Sequence, residues 1–247
     1  MLRLLGYIWA IFGAYWIIFA PAWASKSRQP TGSQSLRLVL LAVTFVLLLW
    51  KAERIAPIWV IVLGFTWTML GLWWVAPRTQ EDSSEFALYR ITRLLVGAIT
   101  FALLFWSKLG VGFLGQRFVA PYLTVRACGF AIAVSGLALT AWARIHLGRN
   151  WSDKVVIQSD HELVRTGPYA RIRHPIYSGV LLGITGTAFI VGEWRALCSL
   201  LIMSINYIIK AKREDKILAE RFGEKFQSYQ KDAGMLLPHL GQRLEPE

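Results

Sequence analysis

The stretch RHPIYSGVLLGITGTAFIVGEWRALCSLLIMSINYIIKAKRED, Arg173 to Asp215, decides the fold. A residue before proline is pushed away from helical backbone angles, and proline suits the first position of a helix, so Pro175 is expected to open a helix just after His174. Two apolar runs follow, Ile176 to Val191 and Ala196 to Ile209, with a tight turn at Gly192 to Arg195 between them. The pattern is a helical hairpin that starts in the basic cluster RIRH and ends in Arg213, Glu214 and Asp215. Folding the hairpin back brings the acids beside His174 and Tyr177. The unpaired N–H groups of a helix start favour an anion, such as the carboxylate of an amino-acid-like ligand, while the acids favour a cation. Groups for both charges would then face one pocket.

Outward from this hairpin the chain keeps the same character. Its 247 residues are 55% hydrophobic and include 12 tryptophans, and the apolar residues fall in long blocks rather than in helical or alternating stripes. An ordinary soluble domain is excluded. The expected fold class is all-α: a polytopic membrane bundle of about seven transmembrane helices with a small cytosolic C-terminal cofactor-binding region. The five further spans are Leu4 to Ala24, Leu36 to Trp50, Pro57 to Ala76, Ile91 to Trp106 and Tyr122 to Ala143. Several are shorter than the ~20 residues that cross a bilayer upright, so their helices must run on into polar flanks. Arg3 ahead of an apolar run and the small residues Ala22 to Ala24 have the outline of a signal peptide, but the run is long and carries Trp9, Tyr15 and Trp16, which suit a retained helix. Cys128 and Cys198 both sit inside spans and suggest neither a disulfide framework nor a metal site.

The net charge of +12 is read as binding anionic headgroups and fixing orientation, not as a nucleic-acid footprint. An outside N-terminus with seven spans leaves seven basic residues outside (Arg3, Lys51, Arg54, Lys108, Arg117, Arg126 and Arg195) and the other twenty of the 27 inside. This puts the hairpin ends Arg173 and Asp215 in the cytosol. Residues 1–121 form the N-terminal set of spans and 122–247 the functional core. A shift of 56 residues lays RLVLLAVTFVLLLW, Arg37 to Trp50, on RLLVGAITFALLFW, Arg93 to Trp106, with eight of fourteen positions identical. The first four spans are therefore a candidate duplicated hairpin of parallel sense.

Connections carry further polar residues. Ser25 to Ser35 reads as a cytosolic loop and the Gly-rich Ser107 to Pro121 as an external one. The fifth span has Gly129, Ser135, Gly136 and Ala138, small residues that allow close helix packing, and it leads into Arg144, His146, Arg149, Asn150 and Trp151. His146 is a candidate base, although a lone histidine at a membrane boundary is more often structural. Val155 to Val164 has short β-like character, and Gly167-Pro168 imposes a turn before Tyr169. No GxGxxG follows a strand, which argues against a soluble Rossmann methyltransferase. From Lys210 the last helix should turn amphipathic, with Ile217, Leu218, Phe222 and Phe226 against the protein.

Taken in order, GRNWS (Gly148 to Ser152), ELVRTGPY (Glu162 to Tyr169), RIRHPIYSG (Arg171 to Gly179), the acidic pair and LAERFGEKFQSYQ before Pro238 resemble the isoprenylcysteine carboxyl methyltransferase and phospholipid methyltransferase superfamily. The resemblance covers Leu147 to Pro238. It implies an integral-membrane enzyme that uses S-adenosyl-L-methionine, with no metal; the expected location is the bacterial inner membrane. It further implies that Arg173 and His174 hold the methionine carboxylate, that Glu214 meets the methionine ammonium or orients the charged donor, and that Tyr177 offers a face or hydroxyl. Leu163, Val164, Gly167 and Tyr169 resemble the segment lining the adenosine pocket, with Pro175 and Gly179 completing the cofactor set. Arg173, Glu214 and Arg144 are the candidate catalytic residues, and His146, Arg149, Asn150 and Trp151 the candidate substrate contacts. Relatives commonly carry two glutamates where this chain has Glu214 and Asp215, so the shorter Asp215 is expected to matter less.

The acceptor stays open at this level: a lipophilic molecule such as an isoprenylcysteine carboxylate, a phospholipid amine, or a small thiol. A carboxylate is already anionic, whereas a thiol or ammonium must lose a proton, with His146, Glu214 or a water as candidate bases. Two other classes compete. An NADPH-dependent membrane enone or sterol reductase shares an RH-x-x-Y pattern but not RHP with the acidic pair and FG, and a lipid transporter would place its charges near midplane rather than at one face.

Overall fold

The computed structural model describes Trp9 and residues 84–147 and 163–239. The first three expected spans, apart from Trp9, lie outside these residues, as do the loop at 25–35, the first copy of the repeat, Gly148 to Ser152 and the β-like stretch as far as residue 162. Every regular element among the described residues is helical: α1 (Ser84–Phe105), α2 (Leu123–Leu147), α3 (Pro175–Val191), α4 (Trp194–Phe222) and α5 (Glu224–Asp232), with short 3-10 turns at Ser107–Leu109, Gly112–Gly115 and Gly167–Ala170. No strand occurs among them, only the isolated bridges Arg117 to Glu193 and Ile172 to Gly234.

The helices outrun the apolar blocks. α1 begins at Ser84 instead of Ile91 and α2 runs to Leu147 instead of Ala143. The last span is one continuous helix of 29 residues that passes Ile209 and ends at Phe222. A helix satisfies its own backbone, so it need not stop where the side chains turn polar. At 1.5 Å per residue α4 is about 44 Å long, against a bilayer core of ~30 Å. α2 and α4 are long and apolar enough to cross a membrane, while α3 and the Leu95–Phe105 part of α1 are shorter apolar helices. The expected amphipathic continuation is present: Leu218 and Phe222 of α4 pack on Phe226, Tyr229 and Ala233.

α2 and α3 make the closest contact. Gly129, Ala133, Gly136 and Thr140 form a buried stripe on α2. It faces Gly179, Gly183 and Gly186 of α3, with the main chains touching: a Cβ on Gly129 would lie 2.7 Å from the Gly186 carbonyl oxygen, and one on Gly136 would run into the backbone of Gly183 and Gly179. Of the four small residues expected to serve this contact, Gly129 and Gly136 do, while Ser135 and Ala138 are exposed. The stripe follows helical spacing of i, i+4, i+7, i+11, which only the first and third of those positions fit. Trp9 joins the same core, donating from Nε1 to Thr187 Oγ1 at 3.1 Å and meeting Phe101 edge-on.

The turn between α3 and α4 is as tight as expected. Gly192 takes φ 70 and its N–H closes on the Ala188 carbonyl at 2.7 Å, a left-handed cap that favours glycine. Just beyond it, the buried Arg195 donates to the carbonyls of Leu103 and Leu104 and pairs with Glu193 at 2.6 Å. The guanidinium thus satisfies carbonyls at the end of α1, where the helix has no partners of its own. Ser199 adds a bond to the Thr100 carbonyl one turn further in.

Backbone contact makes the α2–α3 seam intolerant of added volume. Gly136→Ala should lower unfolding stability in detergent by about 2 kcal/mol, as overpacking does, whereas Ala138→Leu on the exposed face should change it by less than about 0.5 kcal/mol. Thermal unfolding of the two variants side by side measures the difference.

Candidate functional site

Pro175 opens α3 and His174 stands outside it at φ −122, ψ 61, as the proline requires. The end of α4 then brings two acids against this corner. The imidazole lies between them: Nε2 is 2.8 Å from Asp215 Oδ1 and Nδ1 is 3.3 Å from Glu214 Oε2. Arg173 donates from Nε and Nη2 to Asp215 Oδ2 at 3.2 and 3.0 Å. Its Nη1 reaches the carbonyls of Ala233 and Gln230. Burial alone would lower the His174 pKa; the hydrogen bonds and charges of Asp215 and Glu214 outweigh it and hold the pKa above its ordinary value. A carboxylate at each ring nitrogen suits the imidazolium, which donates from both.

Glu214 has a second set of partners. Tyr177 donates its hydroxyl to Oε1 at 2.6 Å, and Lys210 Nζ stands 3.8 Å away. The Tyr177 ring lies parallel to both Tyr207, 4.7 Å away, and His174, 5.4 Å away, with Lys210 Nζ 5.1 Å from its centroid. Tyr207, Lys210 and Glu214 recur at i, i+3, i+7 on one face of α4. That spacing is visible in the sequence, but Tyr207 sits inside the apolar run, where nothing local distinguishes it from a packing aromatic.

The hairpin therefore brings together Arg173, His174, Tyr177, Glu214 and Asp215. The cations and anions neutralise one another directly, in place of flanking an open gap. Asp215 makes the larger share of the contacts with Arg173 and His174. Asp215, not Glu214, ties the guanidinium to the imidazole, with 11% of its side chain exposed against 20% for Glu214. Its shorter reach suits a position directly beneath Arg173. Glu214, the more exposed, is the carboxylate better placed to meet a ligand.

The segment Gly167–Ala170 forms a 3-10 turn with Pro168 and Tyr169 buried. His146 at the end of α2 rests on it: its Nε2 is 2.8 Å from Thr166 Oγ1, and a Cβ on Gly167, whose φ is +59, would lie 2.7 Å from its ring. His146 is thus a packing partner of the turn. Arg144, two residues earlier on α2, is buried. Burial pushes the Tyr169 phenol up, Tyr229 adds to this, and the Arg144 guanidinium opposes it. Leu163 packs against the Phe226 cluster and Val164 is half-buried beside it in the chain. Gly179 serves the contact with α2, against Thr140. Arg149, Asn150 and Trp151 lie outside the described residues. Among the described residues no cluster of His, Cys, Asp and Glu could hold a metal ion.

Comparison with known proteins bears out the resemblance. Residues 129–220 match the model of the isoprenylcysteine carboxyl methyltransferase (ICMT) family. A methanethiol S-methyltransferase from Pseudomonas deceptionensis is 42% identical over 73 residues, covering 29% of this chain and 27% of that protein. A protein-S-isoprenylcysteine O-methyltransferase from Schizosaccharomyces pombe is 28% identical over 125 residues, 49% of this chain and 52% of that one. The chain spans between about a quarter and about half of the length of these curated relatives. A solved structure of the eukaryotic intramembrane Ras methyltransferase ICMT aligns over 96% of this chain and 85% of its own with a TM-score of 0.51. At 18% identity it shows a shared fold.

The two acids should separate in experiment. Asp215→Asn leaves a buried guanidinium and imidazole without their shared anion and should cost on the order of 3 kcal/mol in unfolding stability. Glu214→Gln keeps shape and hydrogen-bonding capacity and should cost clearly less, measured by chemical or thermal unfolding in the same detergent.

Proposed function

We propose that this chain is an integral-membrane methyltransferase that takes its methyl group from S-adenosyl-L-methionine and passes it to a lipophilic or membrane-associated acceptor. The observation that carries this reading is the corner where the start of α3 meets the end of α4. It sets a partly buried carboxylate and an aromatic face beside two cationic side chains at a helix N-terminus. The donor's amino-acid end carries an ammonium and a carboxylate, so the chemistry of this residue set fits it.

When bound, the donor supplies a methyl group already activated by its sulfonium. The protein's task is then alignment and exclusion of water, with no covalent intermediate on a side chain. Glu214 would accept the ammonium, held in place by the Tyr177 hydroxyl, and the Tyr177 face would suit a neighbouring cation. His174 and Arg173 would offset the donor carboxylate, with Asp215 holding both in register. Leu163, Val164, Gly167 and Tyr169 would line the adenosine side, and Arg144 would orient an anionic acceptor. An isoprenylcysteine carboxylate needs no base. A small thiol is the second reading, favoured by the 42% identity over 73 residues to a methanethiol S-methyltransferase. It must lose its proton, and His146 is partly committed to Thr166.

The donor reading is tested by titrating the purified protein with S-adenosylhomocysteine in a calorimeter. Wild type should bind, and His174→Ala should weaken binding by more than tenfold. Absence of binding to folded wild type would sink the reading.

The proposed setting is a multi-pass protein of about seven spans, with its N-terminus outside and the α3–α4 corner in the cytosol, where a nucleotide-derived donor is available. A reporter fused after Glu247 should be cytosolic and one placed within residues 51–56 external. An external C-terminus would overturn the orientation.

A further inference from the structure

The loop from Arg171 to His174 lies between a 3-10 turn and α3; the N–H groups of Arg171 and Ile172 still close on the Pro168 carbonyl, while those of Arg173 and His174 have no helical partner of their own. The latter two are met by a short strap near the chain's C-terminal end. Arg173 N–H donates to the Gly234 carbonyl at 2.8 Å, His174 N–H to the Met235 carbonyl at 3.1 Å, and Gly234 N–H returns to the Arg171 carbonyl at 3.1 Å. One turn into α3, Ser178 Oγ donates to the Leu236 carbonyl at 2.6 Å and lies 3.1 Å from the His174 carbonyl oxygen. The strap therefore runs parallel to the loop, rung by rung, with the bridge from Ile172 to Gly234 at its centre.

The helix that leads into the strap holds a second piece. The buried Tyr229 of α5 donates its hydroxyl to the Tyr169 carbonyl at 2.6 Å, and Arg165 pairs with Asp232 at 2.9 Å while its guanidinium lies 5.5 Å from the Tyr229 ring centroid. Arg173 joins the two grips through the carbonyls of Gln230 and Ala233. The held pieces are the Gly167–Ala170 turn and the loop carrying Arg173 and His174, the two segments assigned above to opposite ends of the donor.

We propose that residues 229–236 form a clamp that sets these two segments relative to each other, and that Ser178 and Tyr229 are its positioning residues. Neither needs to touch the donor. Ser178 acts through the His174 backbone and Tyr229 through the Tyr169 backbone. The clamp itself is independent of what binds, while its effect on donor affinity rests on the donor reading.

The test uses the full chain in nanodiscs as wild type, Ser178→Ala, Ser178→Thr and Tyr229→Phe. Amide hydrogen exchange over residues 165–178 and S-adenosylhomocysteine affinity are read in parallel with the unfolding temperature. Ser178→Ala should speed exchange at Arg173 and His174 by at least tenfold and weaken affinity three- to tenfold. Ser178→Thr, which keeps the hydroxyl, should restore both to within twofold. Tyr229→Phe should do the same to the turn at 166–170 and to affinity. Unchanged exchange in both Ser178→Ala and Tyr229→Phe overturns the clamp. Faster exchange with unaltered affinity, or a failed Ser178→Thr rescue, overturns the positioning role. Were wild type itself to bind no S-adenosylhomocysteine, the donor reading would fall and the exchange arm alone would decide the clamp.

Discussion

The Asp215 carboxylate, shared between the Arg173 guanidinium and the His174 imidazole, is the constraint on which the site depends. It joins the first residues before α3 to the last third of α4, which are neighbours only because the turn at Gly192 folds one helix back on the other. Taking these charges out of water is costly unless each meets a partner, and here each does. Arg173 extends the same network to the carbonyls of Gln230 and Ala233, so the start of α3, the end of α4 and the strap form one unit.

Much of this was legible because proline, glycine and charge act locally. Pro175 marks the start of α3, Gly192 its end, and the switch from Ile209 to Lys210 the point where the sequence of α4 turns from apolar to charged. Meeting of His174 with the acids followed from hairpin length alone. What was not legible depended on which face each side chain takes. Ser135 and Ala138 are as small as Gly129 and Gly136 but point away from α3, and composition cannot tell them apart. The bonds of Asp215 to Arg173 and His174 were not legible either, because side-chain length does not say which neighbour sits directly against it.

The strap was invisible for a different reason. Its bonds to Arg171, Arg173 and His174 are made by backbone groups of Gly234 and Met235, which every residue but proline possesses. A sequence carries no mark for such contacts. Ser178 and Tyr229 were within view, as members of the quoted motifs, yet their partners are carbonyl oxygens roughly 60 residues distant in the chain.

α4 is anchored at both ends, by Arg195 against the carbonyls that finish α1 and by Asp215 against Arg173. Between these anchors lies a single uninterrupted helix, so their angular phase is set by the number of residues separating them. Each residue turns the helix by about 100° and advances it by about 1.5 Å. Many apolar side chains would serve along the exposed side, but one residue more or fewer would swing the acid pair a quarter turn or more away from the imidazole. For this span, length is the quantity under constraint and composition is comparatively free.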